Sequence, residues 1–217
     1  MGKGKHGLQV FDESGGSLVE VGPHVVVDRP EFGAAIGSIA TAWAQAEVNL
    51  LCLLAVLINT TPELVKSSLK KHRSAKSASE AARKIATETL DGAALQDVVE
   101  LLGALDKVRD ARNRVQHDVW ARKATDSERL YRVHSDQYLA LALKLLDVER
   151  MNAPAAAAIE VATSFAAAVS EGYSVSDLNE IADDIDSVSK RLLTAMFSNR
   201  IRQLKALGQV DPSSGSI

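Results

Sequence analysis

The strongest constraint on the fold of this chain is an apolar repeat that begins at Phe32 and ends at Leu57. Its members recur at alternating steps of four and three residues: Phe32, Ile36, Ile39, Trp43, Ala46, Leu50, Leu53 and Leu57. That spacing keeps one apolar side chain per turn on a single face of an α-helix for about seven turns. A half-buried strand would show a period of two instead. The chain is therefore expected to build its core by packing other helices against this one.

Start and stop signals divide the rest of the chain into further helices. Thr61-Pro62-Glu63 combines a capping threonine, a first-turn proline and an early acid, whereas Asp91-Gly92 is a break. A second seam then predicts a helix that ends near Trp120; its members are Leu101, Leu105, Val108, Arg112, Val115 and Val119. Further helical stretches are expected between Tyr138 and Leu207. The sequence thus predicts an all-α fold, a single helical-bundle domain of six or seven helices over residues 30–207.

Two segments depart from this helical pattern. The N-terminal extension, residues 1–29, contains LQVFDESGGSLVEVG, whose alternation around Glu13–Gly16 is typical of a short β-hairpin. After the second seam, DVWAR and RLYRV are separated by KATDSE, and they form either two short strands or an irregular crossover. Residues 208–217, GQVDPSSGSI, are expected to be a disordered tail.

Composition excludes several classes of protein. Cys52 is the only cysteine, so an intramolecular disulfide is impossible, and a reducing cytoplasm is the expected location. The first residues, MGKGKHGLQV, lack the apolar run of a secretory signal. The fully apolar stretch Leu50–Ile58 is shorter than the roughly 20 residues that span a bilayer, which favours a buried core helix. A formal net charge of −3 rules out a uniformly basic coat for nucleic acid but allows a local basic patch.

The stretch RDARNRVQHDVW, residues 109–120, contains the candidate functional residues. Arg112 takes a seam position that calls for leucine or valine, so its charged head must reach solvent, pair with an acid or serve a site. His117 lies five residues further on, about 140° around a regular helix, so spacing alone does not bring the two together. Asn113 stands four residues before His117 and shares its face, where its amide can fix the tautomer of the ring.

Arg112–His117 resembles the R-N-x-x-x-H signature of the HEPN superfamily, over a domain that corresponds to residues 30–150. Members are compact all-helical domains, and the resemblance implies a metal-independent endoribonuclease of the kind found in toxin–antitoxin and phage-defence systems. It further implies RNA as substrate, a homodimer in which two motifs face a shared cleft, no cofactor, and in some systems an antitoxin or regulatory protein as partner. Other members have lost activity and only bind nucleotides or partners.

The resemblance assigns a role to each motif residue. RNA carries its own nucleophile, the ribose 2′-hydroxyl, so the enzyme has to move protons and hold the developing phosphorane charge. His117 would move the protons, because imidazole exchanges them near neutral pH. The planar donor fork of Arg112 would bind the phosphate oxygens, and Asn113 would orient the histidine. The expected products carry 2′,3′-cyclic phosphate ends.

The same residues have ordinary structural explanations. A histidine in the last turn of a helix is stabilised by the negative end of the helix dipole, by about 0.3–1 kcal/mol. Arg112 is also suited to an ion pair with Glu47, an acid beside the first seam, and such a pair would be compatible with a catalytic role. Trp120 is expected to support the site, either by filling the core or by stacking on a base.

Basic residues in and near the motif, and others after the helix that begins at Pro62, are expected to form a surface that binds RNA without sequence preference. Its members are Lys70, Lys71, Arg73, Arg114 and Arg122. They would contact phosphates without sequence preference, although a solvated loop also explains the run around Lys70. The acids of IADDID, residues 181–186, resemble a metal site only superficially, so no metal ligands are predicted. The rival functions are a catalytically silent module that dimerises and binds a protein or nucleotide, and a peripheral membrane protein.

Overall fold

The computed structural model describes residues 7–12, 14–72 and 74–209. These residues form eight helices and five strands. The helices are α1 (Pro23–Val27), α2 (Pro30–Leu57), α3 (Pro62–Leu69), α4 (Ala75–Thr89), α5 (Gly92–His117), α6 (Ser135–Arg150), α7 (Ala155–Ala168) and α8 (Val175–Ala206). The strands are β1 (Leu8–Phe11), β2 (Ser17–Val21), β3 (Val119–Lys123), β4 (Asp126–Val133) and β5 (Gly172–Tyr173).

The helical part of the prediction is confirmed. The first apolar seam becomes α2, and Phe32, Ile39 and Leu53 on that seam are fully buried. At the start of α3 the Thr61 hydroxyl accepts a hydrogen bond from the backbone N–H of Leu64, as a threonine N-cap should. The second seam becomes α5, which ends at the motif histidine.

The all-α prediction is wrong in one respect, because the chain contains a five-stranded antiparallel sheet in the order β1-β2-β3-β4-β5. The two expected departures from helix are both hairpins, and they belong to one sheet. β2 pairs with β3, with Glu20 opposite Arg122 and Val21 opposite Ala121. Local periodicity predicts a strand but not which strand it pairs with about a hundred residues away. The sequence therefore could not predict the pairing of β2 with β3.

The chain divides into two compact units, whose boundaries fall inside α2, α5 and α8. The sheet unit comprises the residues up to Ile39 together with Arg112–Glu180. The helical unit comprises Ala40–Ala111 together with the residues from Ile181 onward. This division differs from the expected segments 1–29, 30–207 and 208–217, because the N-terminal hairpin shares a unit with the later strands. Most of the expected tail, residues 210–217, lies outside the described residues.

In the sheet unit, one face of the sheet builds the core and the other carries charge. Val19 and Val21 of β2, Ala121 of β3 and Val133 of β4 are fully buried against α6 and α7. Because successive side chains of a strand point to opposite faces, the residues between them form a second face. Its members are Glu20, Trp120, Arg122 and Arg132. This second face, and the end of α5 that leads into it, contains the candidate site.

The helical unit has an aliphatic core. Its fully buried side chains include Leu54 of α2, Leu102 and Leu105 of α5, and Ile185 and Leu192 of α8. Within the described residues, α2 is also the one helix whose length and composition would allow it to cross a membrane, and 39% of its most apolar window is buried.

Candidate functional site

The last turns of α5 bring the three motif residues together in one chain. The Arg112 guanidinium lies between its two partners: Nη1 donates to Asn113 Oδ1 at 3.0 Å and lies 3.3 Å from His117 Nε2. His117 is the last residue of the helix and is exposed, whereas Arg112 and Asn113 are half-buried. The backbone separation of about 140° is bridged because the long arginine side chain reaches around the helix end.

In this geometry a guanidinium donor faces Nε2 of the imidazole. Arginine is always charged and has only donors, so a hydrogen bond from Nη1 needs the tautomer whose Nε2 carries the lone pair and whose proton lies on Nδ1. Asn113 contacts Arg112 and not the ring, so its effect on His117 passes through the guanidinium.

A second set of ionisable side chains begins at the residue after His117. Asp118 is held by Arg132 of β4, whose Nε lies 3.0 Å from Asp118 Oδ2, and Arg132 Nη2 lies 3.0 Å from Glu171 Oε2. The other carboxylate oxygen, Asp118 Oδ1, lies 3.8 Å from Nδ1 of His134. The Asp118 side chain is 9% exposed and the His134 side chain is 55% exposed. The nearly buried carboxylate of Asp118 thus faces Nδ1 of a ring that solvent can reach.

Trp120 lies beneath this set as a buried ring. It is 8% exposed and meets Tyr173 edge to face, with ring centroids 5.8 Å apart. The Tyr173 hydroxyl donates to Glu171 at 2.6 Å. Desolvation, followed by the hydrogen bond and negative charge of Glu171, raises the pKa of Tyr173 above its ordinary value. Trp120 therefore contributes by packing, and its buried faces leave no room for a stacked base.

Glu47 lies in the helical unit, whereas Arg112 lies in the sheet unit. Its side chain is exposed and lines a largely apolar cleft of about 530 Å³ together with Trp43, Val48 and Arg109. Arg109 is thus the α5 arginine in the cleft of Glu47, and the expected pair of Glu47 with Arg112 stays a prediction.

The expected RNA-binding residues differ in how far their charges are already neutralised. Arg122 Nη2 lies 2.7 Å from Glu20 and 3.7 Å from Asp28, so this half-buried guanidinium links β3 to β2 and to the residue after α1. Arg114, Lys70 and Lys71 are exposed. Arg73 lies outside the described residues. The lysines belong to the helical unit, whereas Arg114 and Arg122 belong to the sheet unit.

In the part of the chain that the structure describes, no group of three or more histidine, cysteine, aspartate or glutamate side chains is arranged to hold a metal ion. The chemistry available from the end of α5 and the hairpin that follows it is that of two imidazoles, two guanidiniums and two carboxylates. These groups can bind a phosphodiester and move protons around it.

Sequence reasoning gave His134 and Asp118 no role, because the register of the β3–β4 hairpin was not readable. Lys123 pairs with Asp126 across the two-residue turn, so an unbroken ladder would place Asp118 opposite Tyr131. A bulge between Ala121 and Lys123 shifts the register, and Val119 pairs with Val133 instead. The next position outward sets Asp118 against His134. The sequence DVWARKATDSERLYRVH shows two strand-like segments and a turn, which was a signal for a hairpin. It shows nothing of the bulge, which sets the register.

Comparison of this chain with family models, with characterised proteins and with solved structures found no match.

Proposed function

We propose that the protein is a metal-independent endoribonuclease of HEPN type, in which Arg112, Asn113 and His117 act on a phosphodiester of RNA. The observation that carries this proposal is the 3.3 Å approach of the Arg112 guanidinium to His117 Nε2 within one chain. His117 is exposed at the helix end, so a ligand can reach the pair.

The proposed reaction follows from what these groups prefer to bind. A phosphate is a far better partner for a guanidinium than a neutral ring nitrogen, because two charge-assisted hydrogen bonds replace one neutral acceptor. When RNA binds, Arg112 therefore turns to the phosphate and frees the Nε2 lone pair of His117. That lone pair takes the proton of the 2′-hydroxyl, and the oxygen attacks the neighbouring phosphorus. The guanidinium holds the negative charge that develops on the phosphorane.

The products of this reaction are a 2′,3′-cyclic phosphate and a 5′-hydroxyl end. No step needs a cofactor, so cleavage should continue in excess EDTA. Uncontrolled activity of this kind in a cytoplasm would arrest growth, in keeping with a toxin or phage-defence protein that an antitoxin or regulatory partner restrains.

The deciding experiment compares the wild type with His117→Ala on a labelled single-stranded RNA. Loss of the proton-transfer group should lower the cleavage rate by about 10²–10⁴-fold. Because His117 is exposed, the variant should fold normally, which circular dichroism and urea unfolding will verify. His72→Ala is the matched control: it removes an exposed histidine of the helical unit and should leave the rate unchanged. Equal cleavage by wild type and His117→Ala, or none by either, would refute the proposal.

A second candidate function, a catalytically silent module that dimerises, is favoured by one observation on α6. Leu139, Leu143 and Leu146 are exposed and spaced at four and three residues, so they form one apolar row. A groove of about 330 Å³ lined by Tyr138, Leu145 and neighbouring side chains runs beside this row. A two-fold axis would set the row of each protomer into the groove of the other. We infer that a second copy of the chain covers this face.

Light scattering after gel filtration tests this dimer. Leu143→Glu should give a monomer, whereas Leu64→Glu, the same change at an exposed leucine of α3, should leave the dimer intact. A monomeric wild type would contradict the dimer. A dimer without ribonuclease activity would identify the silent module.

A further inference from the structure

We propose that His134 is the general acid of the reaction, protonating the 5′-oxygen as it leaves, and that Asp118 is its positioning residue. This inference rests on the ribonuclease function proposed above. It assigns the second proton transfer to a group of the same chain, outside the Arg112–His117 motif.

The chemistry requires such a group. Attack by the 2′-oxygen needs a base, while departure of a nucleoside 5′-oxygen, a poor leaving group as an alkoxide, needs an acid in the same step. One imidazole cannot give and take a proton at two oxygens on opposite sides of the same phosphorus at once. His117, whose Nε2 faces Arg112, is suited to be the base, so the acid must be a second group. In a dimer that group could be the His117 of the other subunit, and His134 is the candidate within the same chain.

A second imidazole lies at the end of the β3–β4 hairpin that follows α5. Val119 of β3 pairs with Val133 of β4. His117 lies two residues before Val119 in the chain, and His134 is the residue after Val133. Nδ1 of His134 lies 3.8 Å from Oδ1 of Asp118, the residue adjacent to His117. The two histidines thus belong to the same end of the β3–β4 hairpin.

The surroundings of His134 orient its ring. The second carboxylate oxygen of Asp118, Oδ2, pairs with Nε of Arg132. Nη2 of the same guanidinium pairs with Glu171. The small cleft of about 90 Å³ at this place is lined by Arg132, Glu171 and the polar side chains of Gln137 and Ser170. In the doubly protonated ring, which is the acid of the step, Nδ1–H faces the Asp118 carboxylate and Nε2–H points outward, the orientation that a donor to a bound substrate needs. The ring is more than half exposed, so RNA can reach it.

The proposed step is balanced in atoms and charge. His117 Nε2 takes the 2′-hydroxyl proton, the 2′-oxygen forms its bond to phosphorus, and the bond from phosphorus to the 5′-oxygen breaks. The leaving oxygen takes the proton from His134 Nε2. Solvent then returns a proton to His134 and removes one from His117, so the enzyme is unchanged.

The test uses two substrates that differ in the leaving group: a dinucleotide, and the 4-nitrophenyl ester of uridine 3′-phosphate. His134→Asn is the chosen variant, because asparagine keeps the N-cap that His134 provides to α6. On the dinucleotide the variant should lose about 10²–10⁴-fold in kcat. On the aryl ester, whose phenolate leaves without a proton, it should retain the wild-type rate. His117→Ala should lose activity on both, since the base is needed in either case.

Asp118→Asn should show the leaving-group pattern of His134→Asn at a smaller magnitude. Asp147→Asn, the same substitution at an exposed aspartate of α6, should behave as wild type. Equal losses on both substrates would make His134 a structural or binding residue and overturn the inference while the ribonuclease function stands. So would an unchanged rate on the dinucleotide. A wild type that cleaves neither substrate nor a longer RNA would instead refute the proposed function itself.

Discussion

The helix α5 contains two arginines three residues apart, and the two units of the protein use them differently. In the helical unit, Arg109 pairs with Asp106 and lies over the Trp43 ring, 5.6 Å from its centroid. In the sheet unit, Arg112 reaches Asn113 and His117 at the helix end. Both side chains leave the same helix, so their different roles come from the groups around them.

The Asp106 cluster is closed. The carboxylate accepts from the Ser79 hydroxyl at 2.6 Å and from the guanidiniums of Arg83 and Arg109. Burial raises the pKa of Asp106, but the hydrogen bonds of Ser79 and Arg83 and the charge of Arg109 outweigh it, so the pKa lies below its ordinary value. Both guanidiniums contact the same carboxylate, which makes the cluster a structural element. At the end of α5, Arg112 contacts Asn113 and the exposed ring of His117, which a ligand can reach.

The largest contrast is expected from the same conservative substitution at the two arginines. Arg112→Lys keeps the charge but removes the planar fork, so phosphorane stabilisation should fall and the cleavage rate should drop about 100-fold. Arg109→Lys changes a residue of the closed cluster, so it should lower stability and leave kcat unchanged. Initial rates on the labelled RNA and urea unfolding of both variants measure the two effects. Similar rates for Arg112→Lys and Arg109→Lys would remove the distinction between the two arginines.

A smaller effect is expected when the closed cluster is opened. Asp106→Ala leaves the Ser79 hydroxyl and two guanidiniums without their acceptor, which should lower the free energy of unfolding by about 1–2 kcal/mol after allowance for partial exposure. His117→Ala, at the open end of α5, should change it by less than about 0.5 kcal/mol. Urea midpoints measured at neutral pH provide the comparison. Equal destabilisation by Asp106→Ala and His117→Ala would mean that His117 stabilises the fold as much as Asp106 does.

The two units also differ in how far the sequence predicted them. The seam of α2 and the cap at Thr61 are local patterns, and each appears in the structure where the periodicity places it. The pairing of β2 with β3 joins segments about a hundred residues apart, and no local pattern specifies it. A prediction from periodicity therefore described the helical unit well and missed the architecture of the sheet unit.

The candidate site shows the same limit on a smaller scale. The sequence named Arg112, Asn113 and His117, but helix geometry alone set the arginine and the histidine apart. Their contact depends on the reach of a flexible side chain, which residue spacing does not describe. The neighbourhood of Asp118 and His134 depends on a β-bulge, a one-sided insertion that alternation of apolar residues does not reveal.

The pH dependence of stability follows from Asp106. Because its folded-state pKa is lowered, its contribution to stability is fully present above the unfolded pKa of about 3.9 and is lost as the pH falls through the folded value. The difference in unfolding free energy between wild type and Asp106→Asn should therefore be largest near pH 6 and should shrink below about pH 4. Urea unfolding at a series of pH values measures it. A difference that stays constant down to pH 3 would show that the carboxylate charge does not stabilise the cluster.

The smallest expected effect is on the salt dependence of RNA binding, in which the exposed Lys70 and Lys71 should differ from the ion-paired Arg122. Arg122 already has Glu20 and Asp28 as counter-charges, so it releases no counterion when RNA binds, whereas Lys70 and Lys71 meet solvent. In the His117→Ala background, which prevents cleavage, replacing the two lysines by alanine should reduce the slope of log K against log salt. The reduction should be about 0.7 for each lysine that contacts a phosphate of single-stranded RNA. Arg122→Gln should leave the slope unchanged, provided that circular dichroism shows an intact fold. The opposite result, a slope that depends on Arg122 and not on the lysines, would place RNA on the charged face of the sheet and would mean that the Glu20 pair opens on binding.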